Sequence, residues 1–153
     1  YLHSTKSGMN SNPRKSSEFT KVDSLNFSGL HATQNLLQMH GSHRGFGSGA
    51  AVLRDSSSHS RSFEVLVDFD DIIINKDTLV TYGNLENAVS GSLTYSMIMN
   101  KSINGVPEET VIEGTIDLEE DGTALMKFYK FNKIYRLGLK DGDIKERGRK
   151  SGK

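Results

Sequence analysis

The sequence predicts a mainly β protein, either a single antiparallel β-barrel or a two-layer β-sandwich of about seven to eight strands. One short N-terminal helix and polar, flexible termini complete the predicted fold. Three observations support this fold class. Apolar and polar residues alternate through successive segments after residue 46, as they do in half-buried strands. Asn-Gly and Asp-Gly dipeptides separate several of these segments and favour tight hairpin turns. No stretch after residue 60 has room for the helical crossovers that parallel strands require.

The clearest strand signal lies in the middle of the chain. Phe63, Val65, Val67 and Phe69 alternate with a set of residues that includes three acidic side chains. The alternation breaks at residues 70–71, where three consecutive isoleucines follow. One extra residue at that point predicts a β-bulge.

The later strands are predicted from turn residues and from the same alternation. Turns are expected at Asn104-Gly105 and Asp121-Gly122, and Asp141-Gly142 is expected to end the last long strand. Both dipeptide types tolerate the positive φ angles that two-residue hairpin loops need. The segment "DTLVTYG", residues 77–83, is predicted as a further short strand.

The chain before residue 46 is predicted to be less regular. Residues 1–22 are rich in Ser, Asn, Lys and Gly, which predicts a flexible polar arm because little apolar surface is available for burial. The β domain is predicted over residues 23–144, with a short helix near residues 28–40. For this helix, Ser28 is a candidate N-cap and Gly41 a candidate C-terminal stop. Residues 145–153 are predicted to form a basic tail.

Composition narrows the functional classes. The chain has no cysteine, which excludes disulfides, thiolate metal sites and cysteine nucleophiles. No apolar run reaches the roughly 20 residues that a membrane-spanning helix needs, so no transmembrane segment is predicted.

The zero net charge conceals a segregation along the chain. Residues 1–62 carry +4, residues 63–122 carry −11 and residues 123–153 carry +7. One interpretation is a set of compensating charges within one fold. The other is a basic C-terminal tail that contacts an anionic surface. A pI near 7.2 argues against a dedicated nucleic-acid-binding domain, which is usually strongly basic.

The stretch "MHGSHRGFGSG", residues 39–49, raises the question of a metal or phosphate site. His40 and His43 are candidate metal ligands, with Asp68 and Asp70 as further weak candidates, but no zinc motif has the required spacing. The glycines do not follow the G-x-G-x-x-G pattern of a dinucleotide loop. They instead predict a bent strand or a close backbone approach. No metal or cofactor is therefore predicted.

Several large apolar side chains are predicted to line a ligand pocket inside the β domain, because methionine and aromatic residues adapt to irregular apolar ligands. These residues are Tyr95, Met97, Met99, Met126, Phe128 and Phe131. The alternative interpretation is that they form an ordinary hydrophobic core. Catalytic residues are not identified by any motif.

The segments "SGSLTYSMIMN", "VIEGTIDL" and "ALMKFYKF" are similar in style to exported bacterial β-proteins, many of which are lipoproteins whose leader has been removed. This similarity implies a location outside the cell or in the cell envelope, but it carries no residue roles. The leading hypothesis is a non-enzymatic exported domain that binds a protein partner or a small apolar ligand. The alternatives are a barrel enzyme that uses Asp68, Asp70 or a histidine, and a structural subunit of a larger assembly.

Overall fold

The computed structural model describes residues 1–131 and 133–146 as one antiparallel sheet with a single short helix. The nine strands lie in the sheet in sequence order, so each strand pairs with its neighbours along the chain. The elements are β1 Leu2–Asn12, β2 Lys15–Ser28, β3 Leu36–Val52, β4 Ser58–Asn75, α1 Lys76–Tyr82, β5 Val89–Ile103, β6 Val106–Glu119, β7 Thr123–Phe128, β8 Lys133–Gly138 and β9 Ile144–Glu146.

The mainly β, antiparallel prediction is confirmed, with nine strands in place of seven or eight. The sheet is not closed, because β1 and β9 lie at opposite edges, and the predicted barrel or two-layer sandwich is not confirmed. The chain exposes 10795 Å² of accessible surface, whereas a compact monomer of 16.9 kDa exposes about 7,700 Å². The excess follows from a sheet that has no second layer across most of its area.

The predicted flexible arm, residues 1–22, is wrong. Residues 2–12 form β1 and pair with β2 from Leu2↔Leu25 to Asn12↔Lys15, around a turn at Pro13-Arg14. The composition of this segment offers little apolar surface for burial. Here the ladder of backbone hydrogen bonds orders a polar segment against a long neighbouring strand. Of the predicted basic tail, Lys145 and Glu146 belong to β9, and residues 147–153 lie outside the described residues.

The predicted helix near residues 28–40 is also wrong, because β3 begins at Leu36. Met39 pairs with Phe27 on one side and with Ile72 on the other, so cross-strand packing overrides a weak helical pattern. Gly41 has φ 143°, and a Cβ atom there would lie 2.0 Å from the carbonyl oxygen of Ser24. This glycine therefore serves a close strand approach and does not end a helix.

The helix that does form, α1, occupies the segment predicted as a short strand. The side chain of Asn75 caps it by accepting a 3.0 Å hydrogen bond from the backbone N–H of Thr78. Gly83 ends it in the left-handed conformation, with φ 67°. Both caps are typical of helix ends, and they outweigh the strand preference of the β-branched residues between them.

The predicted turns and the predicted bulge are confirmed. Asn104 and Gly105 both have positive φ and join β5 directly to β6, and Gly122 turns the chain between β6 and β7. The register of β4 against β5 shifts between Asp70 and Ile73, where Asp71 has φ 48°. The bulge places Ile72 beside Met39, on the same side of the sheet as Phe69.

Candidate binding face of the sheet

The strand register separates the side chains of the sheet into two faces of opposite character. Directly paired residues of neighbouring strands lie on the same face, and residues alternate between faces along each strand. We call one side the apolar face. Across β4 to β8 it carries Phe63, Val65, Val67, Phe69, Leu93, Tyr95, Met97, Met99, Thr110, Ile112, Gly114, Ile116, Met126, Phe128 and Tyr135.

Five of the six side chains of the predicted ligand pocket lie on the apolar face. Tyr95, Met97 and Met99 come from β5, and Met126 and Phe128 come from β7. The residues of β6 lie between the two groups, so the five side chains share a surface and do not surround a cavity. The sixth candidate, Phe131, lies in the turn after β7 and is 58% exposed.

Glycines on the apolar face lie beneath aromatic rings of the neighbouring strands. A Cβ atom at Gly114 would lie 2.6 Å from the Tyr95 hydroxyl, and one at Gly47 would lie 2.8 Å from the Phe63 ring. Cross-strand aromatic rings commonly cover strand glycines in this way. The glycine-rich stretch of residues 39–49 is therefore part of β3, where its glycines make room for neighbouring side chains and backbone.

Aromatic contacts extend across β5, β7 and β8. The Phe128 ring packs edge-on against Tyr95, with centroids 6.1 Å apart, and against Tyr135, with centroids 5.6 Å apart. Edge-to-face pairs at such distances are attractive. These contacts hold the aromatic side chains in place on a face over which the described residues form no second sheet.

Charged side chains surround the apolar face on three sides. Lys6, Lys21 and the Asp23–His43 pair lie on β1 to β3, with 2.5 Å between Asp23 Oδ1 and His43 Nδ1. At the β5–β6 hairpin, Lys101 pairs with Glu108 at 3.4 Å. At the far edge, Lys133 pairs with Glu146 at 3.2 Å. An apolar centre inside a polar margin is the usual composition of a protein-binding surface.

The opposite face, which we call the polar face, carries mainly Ser, Thr and charged residues. Lys127 pairs there with Asp117 at 2.6 Å, and Arg136 pairs with Glu119 at 3.2 Å. Asp68 and Asp70 are also on this face, opposite Thr94 and Ser92, and both are exposed.

The candidate metal ligands do not form a site. His40 pairs with Asn26 and His43 pairs with Asp23, so the two histidines point to opposite faces of β3. Both are residues of β3. Among residues 1–131 and 133–146, no group of three His, Asp or Glu side chains is arranged to hold a metal ion.

An apolar cleft at one end of the apolar face was not predicted from the sequence. It has a volume of about 450 Å³ and lies where the segment between α1 and β5 folds over the sheet. It is lined by Met39, Phe69, Ile72, Ile74, Leu85, Glu86, Val89, Leu93, Leu118 and Leu139. Ile72 and Val89, at 3% and 8% exposed, are among the few buried side chains of the described chain. The signal in the sequence is the run of isoleucines after the bulge.

Partial burial in the aromatic cluster raises the pKa of the Tyr95 phenol above its usual value of 10, and the nearby phenol of Tyr129 adds to the shift. A raised pKa in the folded state means that stability is retained below pH 10 and is lost as the pH rises through the folded value. We expect the free energy of unfolding of Tyr95→Phe to fall less than that of the parent as the pH rises from 9 to 12. Each protein is compared with its own value at pH 8. Chemical denaturation at each pH measures this, and parallel losses in the two proteins would contradict it.

Two further findings bear on function. In the described part of the chain, no helix is long and apolar enough to span a bilayer. Comparison of the chain with protein-family models, curated proteins and solved structures finds no match in any of the three.

Proposed function

We propose that the chain is a non-enzymatic binding domain whose apolar face contacts a protein partner. The observation that carries this proposal is the extent of that face, which spans five strands and, among the described residues, is covered only at one end, by the segment between α1 and β5. Soluble monomers rarely expose apolar patches larger than a few hundred Å². A surface of this kind is stabilised when a second apolar surface removes it from water.

The cleft strengthens the proposal because it continues the apolar face into a recess. A recess of about 450 Å³ accommodates an anchoring side chain of a partner, and such anchors in pockets supply much of the binding energy at interfaces. Its volume also lies within the range of small-molecule sites. A small apolar ligand is therefore the second candidate occupant of the cleft. A rise in the melting temperature of the protein on addition of a neutral hydrophobic probe such as N-phenyl-1-naphthylamine would support this second candidate.

The enzyme alternative has less support. Asp68 and Asp70 are exposed on the polar face, and the histidines of β3 point in opposite directions. Acid–base catalysis requires groups that converge on one reacting atom, and these side chains do not converge. We also propose that the domain acts outside the cytoplasm, a proposal that rests on the style of the sequence and is tested by cell fractionation.

A matched pair of variants tests the binding proposal. Ile112 and Val111 are neighbours on β6, both are half-buried, and they point to the apolar and the polar face respectively. We expect Ile112→Asp to lose at least tenfold in partner capture from a cell-envelope extract, because a charge at a desolvated contact is costly. Val111→Asp should retain capture. Quantitative mass spectrometry of the captured proteins measures both, and equal capture by the two variants would overturn the proposal.

A further inference from the structure

We infer that the apolar face binds the apolar face of a second copy of this chain, so that two single-layer sheets form a two-layer β-sandwich. This inference rests on the proposed function, because it names the partner of the same surface. It also supplies a second layer, which the sandwich alternative of the sequence prediction requires and which the described residues of one copy do not form.

The area of the apolar face is the first argument. Strands lie about 4.8 Å apart and rise about 3.3 Å per residue, so eight residues on each of β4, β5 and β6 and the six residues of each of β7 and β8 cover roughly 570 Å². Two such faces bury about 1,100 Å² even before the roughness of the side chains is counted, which exceeds the roughly 1,000 Å² expected of a biological interface. The face is therefore large enough for a dimer whose dissociation we expect in roughly the micromolar range.

The distribution of charge is the second argument. Phe63, Val65, Val67 and Phe69 each begin a row of paired residues that runs from β4 across the sheet towards β8. In these four rows, β4 to β8 present one charged side chain to the apolar face, Lys133 at the margin. Two copies can therefore meet at their centres without burying an unpaired charge, which is the usual obstacle to association. Lys6 and Lys21 lie on β1 and β2 and remain outside the overlap when β6 of one copy crosses β6 of the other.

The charged residues of β1 to β3 argue against a lipid bilayer as the surface that covers the apolar face. Lys6, Lys21, Asp23 and His43 share the side of the sheet that carries the apolar residues. Immersion of this side in hydrocarbon would require each ionised group to lose its hydration, at a large cost in free energy. A protein layer that covers only β4 to β8 leaves those groups in water.

The twist of the sheet is the third argument. Two identical sheets have the same twist, and aligned sandwiches form when such sheets pack with their strand directions about 30° apart. A two-fold axis that lies midway between the sheets, over β6 and at about half of that angle to the strands of each copy, lays β4 of one copy over β8 of the other. The contact is self-complementary, as in most homodimers.

Mass measurement and crosslinking test the inference. We expect the average mass measured by light scattering to rise from the 16.9 kDa of one chain towards twice that value as the protein concentration is increased to about 200 µM. Ile112→Asp should remain a monomer, and Val111→Asp should dimerise like the parent. Circular dichroism of both variants establishes that each retains its sheet.

The absence of cysteine allows a site-specific control. Ile116 and Thr115 are neighbours on β6, and their side chains point to the apolar and the polar face respectively. Packed sheets lie about 10 Å apart, so two copies of residue 116 would be within reach of a short crosslinker. A short bismaleimide should crosslink Ile116→Cys into dimers at least tenfold faster than Thr115→Cys. Equal rates in a protein that dimerises would assign the dimer to another surface and overturn the inference.

The outcomes separate the inference from the proposed function. A parent protein that stays monomeric at 200 µM overturns the second-copy inference. If its capture of a different protein is still lost in Ile112→Asp, the binding role of the face stands. If capture is unaffected as well, both fall.

Discussion

Gly114→Ala is expected to lower the free energy of unfolding by about 3 kcal/mol, because overpacking a tight site forces backbone shifts. A Cβ atom at Gly114 would overlap the carbonyl oxygen of Lys127 and lie 2.6 Å from the Tyr95 hydroxyl. The strand pair β6–β7 can accept the methyl group only if the strands separate and the Tyr95 ring moves. Loss of those contacts also disturbs the ring packing on Phe128.

Gly45→Ala is the matched control for this prediction. Gly45 lies on the apolar face in β3, but the nearest atom to an added Cβ is His43 Nε2 at an ordinary 3.6 Å. Its backbone is not in the left-handed region, so alanine is tolerated. We expect a change between zero and about 1 kcal/mol of stabilisation, from reduced freedom of the unfolded chain. Urea denaturation of the three proteins measures both effects, and similar stabilities for the two variants would contradict the packing of Gly114.

Ile72→Ala is expected to cost about 3 kcal/mol, within the range for truncating a buried isoleucine to alanine. Ile72 is 3% exposed, and it lines the cleft beside Phe69 and Val89. Removal of three methyl or methylene groups enlarges that cleft and leaves its walls without contacts. The loss is large because few other side chains in the described chain are buried.

Ile73→Ala tests whether the bulge directs this burial. Ile73 is the next residue along β4, pairs with Gln38 and Ser90, and is half-buried on the polar face. We expect a cost of about 1 kcal/mol, since less apolar surface is removed from contact. The same denaturation experiment gives both values. A larger loss in Ile73→Ala than in Ile72→Ala would mean that the two side chains occupy the opposite faces.

Much of the sheet could be predicted from the sequence where β-branched and aromatic residues alternate with polar ones. This holds for β4, where Phe63 to Phe69 alternate, and for the hairpin at Asn104-Gly105. Period-two patterning indicates both the strand and its buried side. The same rule places Tyr95 and Met97 on one side of β5 and Met126 and Phe128 on one side of β7, whereas the register through β6 brings the two pairs to the same face.

The first two strands and the start of β3 could not be predicted because their stabilisation is not local. The polar β1 is held by backbone pairing with β2 along its whole length, and nothing in its own composition favours a strand. The helix was misplaced for a related reason. Asn75 and Gly83 are ordinary capping residues, but the β-branched residues between them favour a strand when they are considered alone.

Sheet closure and the cleft were beyond sequence patterns for another reason. A meander of strands is compatible with a barrel, a sandwich or an open sheet, and the choice depends on the pairing of the edge strands. The cleft depends on the direction of the bulge at Asp71, which determines whether Ile72 or Ile73 joins Phe69. Neither property is encoded in the alternation of residue types along one strand.

The most direct measurement of the central claim, that one face of a single sheet collects the apolar side chains, is the strand register in solution. Cross-strand nuclear Overhauser effects should pair Val67 with Tyr95 and Tyr95 with Gly114. A register shifted by one residue would move every apolar side chain of a strand to the polar face. Hα–Hα or HN–HN effects that pair Val67 with Ser96 or Thr94 would therefore contradict the account.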